Sequence, residues 1–397
     1  MNVPDTRTPF VAIACGGTGG HLFPGIAVAE ALKKRGCKTS LLISPKEIDQ
    51  QAVSSARDVE IFTLPAVGLQ NRNYISFAFS FWKSLGAARK IFKSNRPDAV
   101  LAMGGFTSAP PILAARKIRA KTFLHESNTI PGRANRFLVR YVDEAFLGFA
   151  ETGDRLKGSR TTVTGTPVRP EFLRHGPAVE ECRLALGLEL TRPTILVVGG
   201  SQGASGLNGM ILSALPLLAS RNWQWLHLTG ASDFEKVKAA YAAQKINAVI
   251  KPFCGEMDSA LRAATAAVSR AGASSLAEMA AVRLPSLLVP FPAAADNHQY
   301  FNALAFEKSG AAKLLEQKHS TPEKVAAILA ELIENDVTRS GMQSALAQWH
   351  APNAAEEIAG NILRACALAG LPEGNAPDSG SRSPPSGAPG PRQFSAA

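Results

Sequence analysis

Short runs of consecutive apolar residues recur along most of this chain, separated by longer stretches with helical spacing. In the first half the runs are Phe10–Ala14, Thr39–Ile43, Val100–Ala102, Thr122–Leu124, Glu144–Phe149 and Thr161–Thr164. Apolar residues at consecutive positions, in runs this short, predict strands covered on both faces, as in a parallel sheet. The segments between them are long enough for the crossover helices that parallel strands require. One such helix covers Ile26–Lys34 and stops at Gly36, a residue suited to the left-handed turn that closes a helix.

The second half repeats the plan with Thr194–Val198, Trp223–Leu228, Ala248–Lys251, Ala266–Ser269 and Ser286–Val289. Nearly every run ends in Gly, Ser, Pro, His or Arg, and open parallel sheets bind ligands at that carboxyl edge. The predicted fold class is therefore α/β, a doubly wound parallel sheet made twice. Prolines near Gly165-Thr166-Pro167-Val168-Arg169-Pro170 mark the joint, giving a first domain over 1–168 and a second over 169–350. A helix over 351–370 is expected to return to the first domain. Residues 371–397 are rich in Pro, Gly, Ser and Ala, and the expectation is a disordered tail.

Composition narrows the class. A chain of 397 residues exceeds one hydrophobic core, and 46% hydrophobic with 19% charged residues suits a globular protein. Cys15, Cys37, Cys182, Cys254 and Cys366 have neither metal-ligand nor disulfide-framework spacing, so free thiols in a reducing compartment are expected. Pro4, Asp5 and Pro9 interrupt any signal peptide, and no uncharged apolar run is long enough to span a membrane. The net charge of +11 admits nucleic acid, anionic lipid, a phosphate-bearing substrate or simple solubility as its reason.

Two glycine-rich turns, Gly16-Gly17-Thr18-Gly19-Gly20-His21 and Gly199-Gly200-Ser201-Gln202-Gly203-Ala204, each join an apolar run to a helical stretch. Backbone approaches a ligand closely at such turns, and the unpaired N–H groups of the helix start attract an anion. The first turn lacks the lysine of a P-loop. A dinucleotide fingerprint would need glycine where Leu22 stands, and an acid where the second strand ends in Ile43-Ser44-Pro45-Lys46, so bound NAD is disfavoured. No Asp-x-Asp pair or His/Cys cluster offers metal ligands, which leaves backbone N–H groups, helix starts and arginine to stabilise a diphosphate.

Seven segments in one order carry a family resemblance: Gly16–Gly25 (GGTGGHLFPG), Met103–Pro110 (MGGFTSAP), His125–Asn128 (HESN), Gly165–Arg169 (GTPVR), Gly199–Ala204 (GGSQGA), Arg270–Glu278 (RAGASSLAE) and Asp296–Asn302 (DNHQYFN). From about Phe10 to Glu316 the chain closely resembles the MurG-type N-acetylglucosaminyltransferases of bacterial cell-wall synthesis. The resemblance implies the glycosyltransferase B fold, two Rossmann-like domains with an interdomain cleft, and no essential metal or cofactor. It implies a metal-independent hexosyltransferase that moves N-acetylglucosamine from UDP-GlcNAc to the undecaprenyl-diphosphate-linked lipid I acceptor. The implied location is the cytoplasmic face of the inner membrane, with other cell-wall synthesis proteins as further partners.

Carried over motif by motif, the resemblance puts Thr18, Gly19 and Gly20 against the diphosphate and sugar, and Ser201 on phosphate. Arg169 becomes a fixed cation near the nucleotide. Ala273, Ser274 and Ser275 wrap the ribose and sugar, Glu278 accepts the two ribose hydroxyls, and the Phe253–Cys254 backbone reads the uracil edge. Gln299 takes sugar hydroxyls, Asn128 approaches the donor from the first domain, and His298 stands where a second glutamine is expected. The family's β-linked product from an α-linked donor implies one inverting displacement, which needs a base near neutral pH. His21, His125 and Glu126 are the candidates, with His21 preferred because helix N–H groups should keep it neutral.

Tyr74–Phe92 (YISFAFSFWKSLGAARKIF) places Ile75, Phe79 and Trp82 on one helical face, with Phe77, Phe81 and Leu85 nearby and Lys83, Arg89, Lys90 and Lys93 adding charge. Such a stretch suits docking at an anionic inner-membrane surface or, more plainly, a core helix. Rival functions are a UDP-sugar epimerase of related fold, in which the His125-Glu126 pair would act at the anomeric carbon, or a transferase with another acceptor. Nucleic-acid binding is disfavoured, since neither a basic recognition helix nor an aromatic sheet motif is present.

Overall fold

A computed structural model describes residues 8–46, 59–65, 74–173, 176–200 and 203–369. Seven strands form the first sheet: β1 (Phe10–Ala14), β2 (Lys38–Ile43), β3 (Glu60–Thr63), β4 (Ala99–Ala102), β5 (Lys121–Glu126), β6 (Glu144–Leu147) and β7 (Arg160–Val163). Their order is β3-β2-β1-β4-β5-β6-β7, parallel throughout. The second sheet contains β8 (Thr194–Val198), β9 (Gln224–Leu228), β10 (Ala248–Lys251), β11 (Ala266–Ser269), β12 (Ser286–Leu288) and β13 (Lys313–Leu314). It too is parallel, in the order β10-β9-β8-β11-β12-β13. The doubly wound fold class expected from the apolar runs is present in both halves.

Alternation along a strand decides which helix each residue meets. In β1, Val11 and Ile13 join one buried cluster with the Gly19–Lys34 helix, while Ala12 and Ala14 join another with the Tyr74–Ser94 helix. Helices therefore cover both faces, which is why the strand is apolar at every position. The edge strands β3 and β13 were not among the predicted runs. Each has at most one partner strand, β3 is mostly exposed, and β13 is two residues long, so neither needs a continuous apolar signal.

The Ala354–Ala369 helix packs Ile358, Ala359 and Ile362 against Val28 and Leu32 of the first domain. The outgoing and returning segments touch at Gly165, where a Cβ would stand 2.3 Å from Ala351 Cβ, with φ of +78°. Beside this crossing, Trp349 stacks on Phe306 at 4.4 Å and meets Phe149 at 5.3 Å. The predicted tail at 371–397 lies outside the described residues.

Candidate active site

In each sheet the strand order reverses between the first strand and its neighbour, at β1/β4 and at β8/β11. Loops leaving such a pair diverge to opposite faces and open a crevice. The segments that leave these strand ends are Gly16–His21 after β1, Met103–Pro110 after β4, Gly199 and Gly200 after β8 and Arg270–Glu278 after β11.

Thr18 precedes the Gly19–Lys34 helix and Gly272 the Ala273–Ala281 helix, and neither start has a side-chain cap. First-turn N–H groups are thereby left for an anion or polar ligand. The two starts face each other across the cleft, since Ser274 Oγ donates to Gly20 O at 2.9 Å. Thr18 and Gly20 are exposed, and Ser274 and Ser275 are partly so. The Ser201 assignment falls outside the described residues.

His21 lies in the first turn of the Gly19–Lys34 helix, with its ring packed close to Gly104 and Gly105. A Cβ on Gly104 would stand 2.8 Å from His21 Cε1, and one on Gly105 3.1 Å from Cδ2. Both glycines have positive φ, +103° and +76°, so the loop after β4 is shaped around the imidazole.

His125 and Glu126 do not face the cleft. His125 is fully buried, its Nε2 donates to Gly165 O at 3.0 Å, and its Nδ1 accepts from Ser127 Oγ at 3.2 Å. A carbonyl can only accept, so this neutral tautomer is fixed, and burial lowers the pKa below the ordinary histidine value. Glu126 is 2% exposed and accepts from Asn128 N and Nδ2 on one oxygen and from Gly132 N and Asn135 Nδ2 on the other. Its lone pairs are occupied, so neither residue is available as a base. Position at a strand end suggested access, but both side chains turn inward.

Arg169 and Glu278 come together from opposite sides of the joint. Glu278 Oε1 accepts from Arg169 Nε at 3.4 Å and Nη2 at 3.2 Å, with the side chains 14% and 12% exposed. Phe23 and Phe172 rings lie 4.5 and 5.0 Å from the guanidinium carbon. Burial pushes the Glu278 carboxyl above the usual carboxylate range, against the pull of Arg169. Arg169 thus holds and orients the carboxylate assigned to the ribose.

Gln299 Oε1 accepts from Ala271 N at 3.2 Å and Phe291 N at 3.0 Å, which leaves its amide nitrogen as a ligand donor. His298 Nδ1 donates to Ala295 O at 2.8 Å, so its neutral form presents Nε2 as an acceptor where a glutamine could offer either role. Cys254 is buried after β10, its thiol pushed up by burial, so a role there belongs to backbone. Asn128 spends its amide on Glu126 and on Asn302. Among the described residues, no His, Cys, Asp or Glu group is placed to hold a metal ion.

Three residues escaped the sequence reading. Lys46 Nζ donates to Gly17 O at 3.0 Å, beside the first glycine turn. Asp296 accepts from Arg136 and lies 3.6 Å from Arg133, across the domains. Asn302 is fully buried between the domains. The last two sit within the Asp296–Asn302 motif, whose repeated polar residues in a short apolar-poor stretch were the available signal.

A two-domain glycosyltransferase is the class that this paired crevice defines. Residues 11–147 match the N-terminal domain of glycosyltransferase family 28, and residues 194–358 match its C-terminal domain. The chain belongs to the family of UDP-N-acetylglucosamine–N-acetylmuramyl-(pentapeptide) pyrophosphoryl-undecaprenol N-acetylglucosamine transferases. It is 37% identical over 322 residues to the enzyme of that name from Syntrophus aciditrophicus (strain SB), covering 80% of this chain and 87% of that protein. The enzyme of the same name from Prochlorococcus marinus (strain MIT 9303) is 38% identical over 327 residues, covering 82% and 87%. The crystal structure of Acinetobacter baumannii MurG superposes with a TM-score of 0.72 at 28% identity, over 90% of this chain and all of that one. A putative UDP-N-acetylglucosamine 2-epimerase from Listeria monocytogenes shares the fold at 17% identity, with a TM-score of 0.70 over 92% of this chain and 99% of that one.

Proposed function

We propose that this protein transfers N-acetylglucosamine from UDP-GlcNAc to undecaprenyl-diphosphate-linked N-acetylmuramyl pentapeptide, converting lipid I to lipid II with inversion. The observation that carries the reading is the single cleft where two uncapped helix starts meet at Gly20 and Ser274. Residues 169–350 hold the donor, and residues 1–168 with the returning helix hold the acceptor.

Glu278, fixed by Arg169, accepts the ribose hydroxyls, and Gln299 and His298 read the sugar. The acceptor hydroxyl oxygen attacks the anomeric carbon from the face opposite UDP. Its proton passes to His21 as the new C–O bond forms. The bond to the diphosphate breaks and UDP leaves with the electron pair. Backbone N–H groups of Gly19, Gly20 and the 273–275 turn meet that developing charge.

Docking uses the Tyr74–Ser94 helix at an anionic surface on the cytoplasmic face of the inner membrane. No helix among the described residues is long and apolar enough to cross a membrane. Phe79 and Trp82 are 72% and 64% exposed, whereas Leu85 and Phe92 on the same helix are buried. An epimerase loses its candidate acids here, because His125 and Glu126 are occupied away from the cleft.

Incubation with UDP-GlcNAc and a lipid I analogue tests the reading. Acceptor-dependent release of UDP and formation of a lipid II analogue are expected. An epimerised sugar without UDP release, or equal UDP release with and without acceptor, would overturn it.

A further inference from the structure

A primary amide has four hydrogen-bonding places, two lone pairs on oxygen and two N–H groups. Asn302, fully buried, fills all four. Its Oδ1 accepts from Thr129 N at 2.9 Å and Thr129 Oγ1 at 3.0 Å. Its Nδ2 donates to Asn128 Oδ1 at 3.0 Å and Ala271 O at 3.2 Å. Asn128 and Thr129 follow β5 in the first domain, whereas Ala271 follows β11 in the second. One side chain therefore joins both crevices.

The bonds continue on each side. Ala271 N donates to Gln299 Oε1, and Gln299 stands one turn ahead of Asn302 on the His298–Lys308 helix. In the other direction Asn128 donates to Glu126, and Glu126 accepts from Asn135 Nδ2. That nitrogen lies 3.5 Å from the Cβ position of Gly104, the residue against which His21 rests. A set of hydrogen bonds thus runs from Asn135, packed beside the Gly104 seat of the candidate base, to the candidate sugar reader. A second tether, Asp296 to Arg133 and Arg136, holds the other end of the same loop.

We infer that Asn302 is a positioning residue that sets the register of the sugar-reading His298–Gln299 turn against the acceptor domain. The inference rests on the transferase reading of this cleft. Glu126, though unavailable as a base, then anchors the first-domain end of the network. Catalysis across two domains needs the reacting atoms placed closely, and a displacement of 1 Å costs about a hundredfold in rate. Uridine contacts, made wholly on the second domain, are insensitive to this register.

The test uses full-length Asn302→Ala and the gentler Thr129→Val, which removes one hydroxyl donor while keeping shape and the Thr129 N–H. For Asn302→Ala the expected result is a kcat lowered and a KM for UDP-GlcNAc raised by about tenfold each, with affinity for uridine alone within about twofold. Thr129→Val should move the same constants a few-fold, and the double variant should be no worse than Asn302→Ala, because the one bond lost in Thr129→Val is already among the four lost in Asn302→Ala. A role in stability alone would lower Tm and leave both constants unchanged. The inference falls if folded Thr129→Val keeps wild-type constants, or if uridine and UDP-GlcNAc affinities drop together. A wild-type enzyme that released no UDP with acceptor would overturn the transferase reading instead, and the paired uridine and UDP-GlcNAc titrations would still decide on register.

Discussion

Gly20 O accepts a 2.9 Å hydrogen bond from Ser274 Oγ in the opposite domain, and Pro24 makes that carbonyl available. In a helix the carbonyl of residue 20 would take the N–H of residue 24, which proline lacks. Pro24→Ala restores an internal competitor for Gly20 O. We expect kcat/KM to fall about fivefold, the worth of one ordinary hydrogen bond. Stability should hold or rise, since proline in a helix interior costs about 3 kcal/mol relative to alanine. Steady-state kinetics beside a thermal melt check this; an unchanged kcat/KM would mean that the contact has no part in turnover.

The seat of His21 gives a sharper prediction. His21→Ala should lower kcat by about 10² to 10⁴, the usual range for loss of a general base, with donor affinity within about threefold. Gly104→Ala should act in the same direction without touching a polar group, because its Cβ would crowd Cε1 at 2.8 Å and its φ is +103°. Calorimetric titration of UDP-GlcNAc against both variants separates binding from turnover. Weakened donor affinity with near-normal kcat would reassign His21 to the donor site.

Strands buried on both faces announce themselves as consecutive apolar residues, so β1 and β8 were read with their observed limits. The glycine turns were legible because they need backbone freedom at fixed places after a strand. What escaped depends on partners far away in sequence. Pro24 sits inside a helix that spacing alone began at Ile26, because the helix starts at the turn itself. His125 and Glu126 looked accessible at a strand end, but Gly165, Ser127, Asn128, Gly132 and Asn135 claim their polar atoms. Asn302 bonds Thr129 across 173 positions, a distance at which local pattern says nothing.

The exposed aromatics of the Tyr74–Ser94 helix should bind lipid. Burying a Phe or Trp side chain contributes about 1.5 to 3 kcal/mol, so losing both Phe79 and Trp82 should weaken vesicle binding by at least tenfold. Lys83, Arg89, Lys90 and Lys93 are also exposed, which makes the binding sensitive to salt and to the fraction of anionic lipid. Co-sedimentation of Phe79→Ser/Trp82→Ser with phosphatidylglycerol vesicles decides this. Unaltered binding by the folded double variant would remove the helix from the docking surface.

Acid should unfold the protein earlier than its carboxylates alone would require. His227 is fully buried, bonded through Nε2 to Asn208 Oδ1 at 3.0 Å and through Nδ1 to Tyr241 at 3.2 Å, and burial pulls its pKa down to about 3. His125 is lowered for the same reason. Each binds a proton in the unfolded chain below its ordinary value near 6.5 but not in the folded one, so stability is complete above that pH. As pH falls, unfolding takes up these protons, and each histidine removes about 1.4 kcal/mol per pH unit until its folded pKa is reached. Urea unfolding at pH 7, 6 and 5 should therefore show a decline steepening below pH 6. His227→Gln, which can keep a donor toward Asn208, should flatten that slope by one proton, whereas stability constant from pH 7 to 5 in the wild type would show that these histidines titrate alike in both states.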